Sequence, residues 1–347
     1  MRVLVTGGAG FIGSHVADRL RADGHEVLLV DALLPQAHRT RAIPEHLGGH
    51  GLTVADLRDP DIADHVVRGV DVVCHHAAVV GLETGVADMP DYVAHNELAT
   101  AHLLAAMAEH RVRRLVLAGS MVVYGEGRYR CARHDVVQPG PRRQEDLDAG
   151  MFEPRCPRCD EPLVRGTVPE DAPLDPRSTY AATKLAQENL AALWARDTGA
   201  SAIALRYHNV YGPRMPRNTP YAGVASLFRS SLARGEAPVV FEDGAQTRDF
   251  VHVGDVAAAN ALAAAQERTG FRAYNVCSGD PRTIGEVADA LAAADGGPEP
   301  RISGRYRLGD VRHVVADPSR AASELGFTAE VPFGTGMKEF ATAPLRA

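Results

Sequence analysis

The sequence has no stretch that stays apolar for the roughly 20 residues a membrane span requires. Its longest apolar-rich segments, Val70–Cys74 and Val112–Leu117, have the length of strands. There is no basic surplus either: 37 Lys and Arg stand against 44 Asp and Glu, a net charge of −7, which argues against a nucleic-acid partner. The five cysteines are odd in number and unevenly spaced, so they fit a reducing compartment rather than a disulfide framework. No charged head with an apolar core opens the chain. Met1 runs straight into the strand-like Arg2–Val5, and a soluble, cytoplasmic protein starting at residue 1 is the expectation. No repeat recurs, and the Ala-rich tract Ala257–Ala265 is the sole compositional bias. What is present is an ordinary globular profile, 45% hydrophobic over 347 residues, long enough for two domains.

Strand-like and helix-like segments alternate from Arg2 to Gly125. Arg2–Thr6, Glu26–Val30, Leu52–Ala55, Val70–His75 and Arg114–Ala118 read as strands, and Phe11–Asp23 and Asn96–Glu109 as helices with an apolar face. Such alternation predicts an α/β fold with a doubly wound parallel sheet, covered on both faces. From Gly127 to Pro176 the pattern dissolves into Pro, Arg, Asp and Gly, which reads as an insertion without regular period. Helical spacing resumes at Tyr180–Asp197, followed by a strand at Ala202–Tyr207, a loop-like Gly212–Thr219 and a mixed tail.

Thr6-Gly7-Gly8-Ala9-Gly10-Phe11-Ile12-Gly13 follows the first strand and opens the first helix. Glycines there let the backbone approach a pyrophosphate, and the helix N-terminus offers N–H donors. A glycine triplet alone also describes a tight turn. The strand before, the helix after, and Asp31 at the end of the second strand favour dinucleotide binding. A carboxylate at Asp31 bonds ribose hydroxyls and repels a 2′-phosphate, and Ala32-Leu33-Leu34 supplies no Arg, so NAD is expected over NADP.

Tyr180 and Lys184 lie four residues apart at the start of a helix, one turn from each other. A nearby ammonium stabilises a phenolate and prepares it to exchange a proton with an alcohol. Ser120 ends the fifth strand, at the carboxyl edge where α/β folds bind ligands, placed to bond the same substrate oxygen.

These motifs, with Asp56-Leu57, His76-Ala77-Ala78, Asn96, Val123-Tyr124-Gly125, Asn209 to Arg214, Arg248 to Val253 and Arg307 to Asp310, are specific in combination. From Arg2 to about Gly326, interrupted by the insertion, the chain resembles the extended short-chain dehydrogenase/reductases, the NAD-dependent nucleotide-sugar epimerases and dehydratases. The resemblance implies that Gly7, Gly10, Phe11, Ile12 and Gly13 hold the pyrophosphate, Asp31 the adenosine ribose, and Asp56 with Leu57 the adenine. It implies that Ala77, Ala78 and Asn96 line the nicotinamide side. Tyr180 would be the acid/base, Lys184 its pKa-lowering partner bonded to the nicotinamide ribose, and Ser120 the residue aligning the sugar hydroxyl. Asn209, Arg248 and Arg307 would hold the nucleoside diphosphate. Read without the resemblance, Asn96 is equally a buried amide, Asn209 turn chemistry, and the two arginines surface ion-pair partners.

Within that family, dehydrating members carry an Asp-Glu pair after the serine, and decarboxylating ones a Glu just before Val-Tyr-Gly. Met121 and Val122 occupy those places here and cannot transfer protons. The remaining chemistry is oxidation and re-reduction at C4 of a nucleoside diphosphate sugar. Tyr124–Tyr129, Met151–Pro154, Tyr221–Val224 and Phe241–Gly244 look most like the bacterial dTDP-L-rhamnose 4-epimerase group. His208 departs from the family, where an aromatic Phe usually precedes the Asn. The nearest alternative is a 4-ketoreductase of deoxysugar synthesis, and a more distant one a non-catalytic NAD-binding redox sensor. The family also implies a homodimer.

Domains are expected at 1–126 (NAD-binding, Rossmann-type), 127–176 (insertion), 177–208 (return to the first domain) and 209–347 (mainly nucleotide-sugar lobe, with segments returning to the sheet). Inside the insertion, Cys131-x-x-His134 and Cys156-x-x-Cys159 form two ligand knuckles, the supply a small zinc ribbon makes to a tetrahedral Zn²⁺. Four protein ligands leave no open position, so a structural metal is expected, stiffening a flap near the sugar. Arg133, Arg155 and Arg158 would favour thiolates. Cys74 and Cys277 read as buried small apolar residues.

Overall fold

The computed structural model describes residues 1–38, 40, 42–47, 49, 51–81, 85–217 and 223–346. Tyr221 and Ala222, part of the resemblance above, lie outside them, as do the last two residues of Gly212–Thr219.

Seven parallel strands form the main sheet, numbered here in chain order: β1 Arg2–Thr6, β2 Glu26–Asp31, β3 Leu52–Val54, β4 Val72–His75, β5 Arg114–Ser120, β6 Ser201–Tyr207 and β7 Gly270–Val276. Their spatial order is β7-β6-β5-β4-β1-β2-β3. The order reverses between β1 and β4, the switch point at which such sheets bind ligands beyond their carboxyl ends. Alternate side chains leave on opposite faces, and both are apolar. Val3 and Val5 pack with Val16, Leu20, Val256 and Ala263 on one side; Leu4 packs with Leu103, Met107, Ala191 and Trp194 on the other. Among the described residues no helix is long and apolar enough to cross a membrane.

The helix Thr179–Thr198 is started by Ser178, whose hydroxyl accepts from the Ala181 amide at 3.1 Å, and stopped at Gly199 in the left-handed region at φ 65°. Its inward stripe includes Ala181, Lys184, Glu188, Ala191 and Ala195, which puts Lys184 under the sheet edge. The expected helix at Asn96 begins differently. Val93–Leu98 is π-helical and passes into an α-helix at Ala99–Glu109.

The insertion leaves the sheet between β5 and β6 and is more regular than the sequence predicts. Tyr129–Cys131 pairs antiparallel with both Asp135–Val137 and Val164–Arg165. Strands of two or three residues are too short for any period to show. A second small sheet, Asn209–Tyr211, Thr247–His252, Pro281–Thr283 and His313–Val314, builds the far lobe.

Candidate active site and metal cluster

A cavity of about 660 Å³ runs along the carboxyl ends of the strands. Gly7, Gly10, Phe11, Ile12, Gly13, Asp31, Asp56, Leu57, Ala77 and Ala78 line one half of it, and Ser120, Tyr180 and Lys184 the other. The glycines are required by contact. A Cβ on Gly13 would overlap the carbonyl oxygen of Gly7, and one on Gly7, at φ 65°, would lie 2.8 Å from the Ala77 nitrogen. Asp31 braces the loop, accepting from the amides of Ala9 at 3.0 Å and Leu33 at 2.9 Å. Asp56 is fixed by Arg58, whose guanidinium donates to it at 2.7 and 3.0 Å. Bare backbone beside a helix N-terminus, with a carboxylate at the end of β2, fits a dinucleotide.

Tyr180 is hydrogen-bonded to Ser120. The Lys184 ammonium lies 5.9 Å from the centroid of the Tyr180 ring and donates to the Ala118 carbonyl at 3.0 Å. The three side chains therefore meet at the end of β5. The expected lowering of the phenol by its lysine is not what this geometry gives. Burial pushes Tyr180 above its ordinary range, with the Ser120 bond pulling the other way. Burial also pushes Lys184 down to about 8, against the pull of Glu188.

Three expected contacts are corrected. Asn96 is fully buried and does not line the cavity. Its Oδ1 accepts from Val79 N, and its amide donates to Val79 O and to Thr183 Oγ1, so it ties two helices together behind the wall. Arg248 donates to the carbonyls of Thr247, Val311 and Arg312, holding the loop that presents Asp310 to the cavity. Arg307 is exposed and lies over the Phe241 ring at 5.3 Å. Of the proposed diphosphate ligands only Asn209 reaches the wall, its Oδ1 buried and unpartnered.

Sequence reasoning missed Arg346. Its guanidinium donates to Ala9 O at 2.7 Å and Ala37 O at 3.1 Å, strapping the glycine loop to the segment after β2. No local signal marks it, because the contact joins opposite ends of the chain. His76, Met121, Val122 and His208 also line the cavity. The His76 ring stacks on Tyr207 at 6.3 Å, with both its nitrogens unpartnered.

In the insertion, the ligand atoms of Cys131, His134, Cys156 and Cys159 all lie within 4.8 Å of one another. Cys131 Sγ is 3.5 Å from His134 Nδ1 and 3.6 Å from Cys159 Sγ, and Cys156 Sγ is 3.4 Å from His134 Nδ1. A tetrahedron with Zn–S near 2.3 Å and Zn–N near 2.0 Å has edges of about 3.5–3.8 Å. The arginines do not act on the thiols as expected: Arg133 faces Glu161, and Arg155 faces Asp146 and Asp160. Main-chain amides replace them, and the Arg133 N–H, 3.4 Å from Cys131 Sγ, holds that thiol below its ordinary range. Cys74 and Cys277 are buried, as expected.

The insertion is bound to the far lobe by ion pairs. Arg142 donates to Glu242 and to the Asp310 carbonyl, each at 2.7 Å. Arg312, 1% exposed, reaches Glu153, Glu242 and Asp243 at 2.7–2.8 Å.

A dTDP-L-rhamnose 4-epimerase of Burkholderia thailandensis is 34% identical over 98% of this chain and 94% of its own. A UDP-glucose 4-epimerase of Mycolicibacterium smegmatis is 32% identical over 97% and 96%. Among solved structures, the Thermus thermophilus UDP-glucose 4-epimerase in complex with NAD superposes with a TM-score of 0.78 at 30% identity, covering 98% of each chain. The Thermotoga maritima UDP-glucose 4-epimerase with UDP-glucose gives 0.80 at 28%, covering 98% and 97%. The NAD-dependent epimerase/dehydratase family model matches residues 3–277. With a phenol, an ammonium and a serine gathered beside a glycine-walled cavity, and with these likenesses along nearly its whole length, the chain belongs to the NAD-dependent epimerase/dehydratase family.

Proposed function

We propose that this enzyme is a 4-epimerase of nucleoside diphosphate hexoses that retains NAD, acting on a dTDP- or UDP-sugar such as dTDP-L-rhamnose. The observation that carries the reading is the meeting of Ser120, Tyr180 and Lys184 at the end of β5, with Met121 and Val122 next in the wall. Ser120 and Tyr180 supply proton transfer at one carbinol, and Met121 and Val122, the next residues along the wall, supply none at a neighbouring carbon. Bound NAD would supply the hydride acceptor and donor. Gly7, Gly10, Phe11, Ile12, Gly13 and Asp31 would hold its pyrophosphate and ribose, and Asp56, Leu57, Ala77 and Ala78 its two bases. Tyr180 takes the C4 hydroxyl proton, Ser120, bonded to Tyr180, orients that oxygen and favours the phenolate, and Lys184 would bond the nicotinamide ribose. The 4-keto sugar then turns about its diphosphate linkage so that C4 offers its other face to the hydride that NAD would return, and Tyr180 gives the proton back to the C4 oxygen.

Cys131, His134, Cys156 and Cys159 would hold a structural Zn²⁺, for which their spacing is right and which leaves no ligand position for substrate. A homodimer is supported by Met89, Val93, Leu98 and Leu193, which stay exposed on adjoining helices.

The test is incubation with a panel of dTDP- and UDP-hexoses without added coenzyme, followed by NMR. Inversion at C4 with no net NADH change is expected. Stoichiometric NADH consumption with a keto-sugar would make the enzyme a ketoreductase instead. Sedimentation tests the dimer.

A further inference from the structure

Beyond Ser120 the cavity wall offers few polar groups, since Met121 and Val122 follow it. A hexose entering there surrenders water from several hydroxyls, and each needs a new partner. Asn209 and His76 are two candidates on the wall, and a third stands nearest the end of β6. His208 is the first residue after β6, and β6 ends beside the catalytic serine, Ser120 and Tyr207 being register partners. Its main-chain N–H donates to Val276 O at 3.0 Å, which anchors the backbone, while the side chain lines the cavity.

His208 is 4% exposed and, among the described residues, its ring meets only Asn275, which can serve one of the two nitrogens, so a buried ring nitrogen is left without a hydrogen-bond partner. The Asn275 oxygen is shared with the Tyr124 hydroxyl, and the Asn275 nitrogen is spent on the carbonyls of Val168 and Asp317, so Asn275 can offer the imidazole no second bond. A buried polar group left unpaired costs roughly 1–3 kcal/mol. A Phe, the usual occupant in the family this chain resembles, would fill the place without that cost. The cost is offset once a ligand supplies the missing bond.

We propose that His208 is a specificity-determining residue that binds a hydroxyl of the hexose ring, a step that rests on the nucleotide-sugar reading of the cavity. A neutral imidazole carries one N–H and one lone pair, the complement of a hydroxyl. Burial keeps the ring in that form, pushing it down to about 3, so it works as a fixed donor and acceptor rather than as a charge switch.

The experiment compares wild type, His208→Phe and His208→Gln on an accepted hexose and on its 2-, 3- and 6-deoxy analogues. Bound NAD and melting temperature serve as checks of folding. His208→Phe is expected to lower kcat/KM on the parent sugar by about ten- to a hundredfold, chiefly through KM. It should leave turnover of the analogue lacking the partner hydroxyl unchanged, and His208→Gln should restore most of the loss. Equal kcat/KM for wild type and His208→Phe on every sugar overturns the proposal, and so does an equal loss on the parent and all its analogues. A wild type that neither binds nor converts any nucleotide sugar overturns the underlying reading, a result visible before any variant is made.

Discussion

The sheet domain and the insertion are parts of one continuous chain, yet different physics holds each together. Around the sheet, valines, leucines and alanines interlock on both faces, as an ordinary core requires. The insertion's own core cluster is five buried residues, Tyr129, Cys131, Val137, Cys156 and Leu163, two of them metal-ligand candidates, with Leu147 and Val168 buried outside it. So little apolar surface does not fold a segment alone. Its order comes from the Cys/His cluster at one end and from Arg142 and Arg312 at the other. The chemistry stands on the self-sufficient region, and the region that borrows its stability is tied through Arg142 to the loop that carries Asp310 to the cavity.

Metal removal is the strongest way to break this comparison, since structural zinc is worth about 10–16 kcal/mol to small domains. Chelation or Cys156→Ser should open Gly127–Pro176 to limited proteolysis while the sheet keeps its fold and its NAD. Collapse of both regions together would show that they are not separable. Next in size is Tyr180→Phe, expected to cut kcat by about 10²–10⁴ with unchanged NAD content and melting temperature. A small kcat loss would move the acid/base elsewhere.

Arg312→Met sharpens the comparison from the other end. Glu242, 2% exposed, keeps Arg142 when this cation is removed, so the cost in denaturant unfolding should be about 1–3 kcal/mol and be felt first in the insertion. Smaller still, Arg346→Ala should speed NAD release roughly tenfold in a gel-filtration exchange assay, by the loss of two charge-assisted bonds across the glycine loop.

The smallest effect is one of pH. Lys184 titrates near 8 when folded and near 10.5 in an unfolded chain, so between those values the unfolded state binds the extra proton and folding stability rises with pH. Activity should fall over the same range as the ammonium is lost. Lys184→Met should flatten the stability rise in urea titrations carried out from pH 8 to 10.5.

Much of the sheet was legible because its strands follow period and its loops follow chemistry. Gly7 to Gly13, Asp31, and the one-turn spacing of Tyr180 and Lys184 are local features, and the fold brings them to one cavity. Asn96, Arg248 and Arg307 were misplaced because sequence names a residue without aiming it. An amide or a guanidinium binds main-chain carbonyls as readily as a ligand. The insertion strands are shorter than any period, and the Val93–Leu98 widening has no compositional mark. Arg346 depends on a contact across the entire chain. The burial that raises Tyr180 is a property of the assembled site, invisible in a four-residue spacing.

The position of the insertion has a further consequence for chain folding. Ser120 and Tyr180 must find each other across it, a loop of roughly sixty residues whose closure costs entropy as the logarithm of its length. A metal joining Cys131 to Cys156 and Cys159 would take roughly twenty-five residues out of that path and trim the closure cost by about 0.5 kcal/mol. With its metal the cluster would act as a topological short-cut. It would draw together two stretches of polymer that contain none of its own ligands.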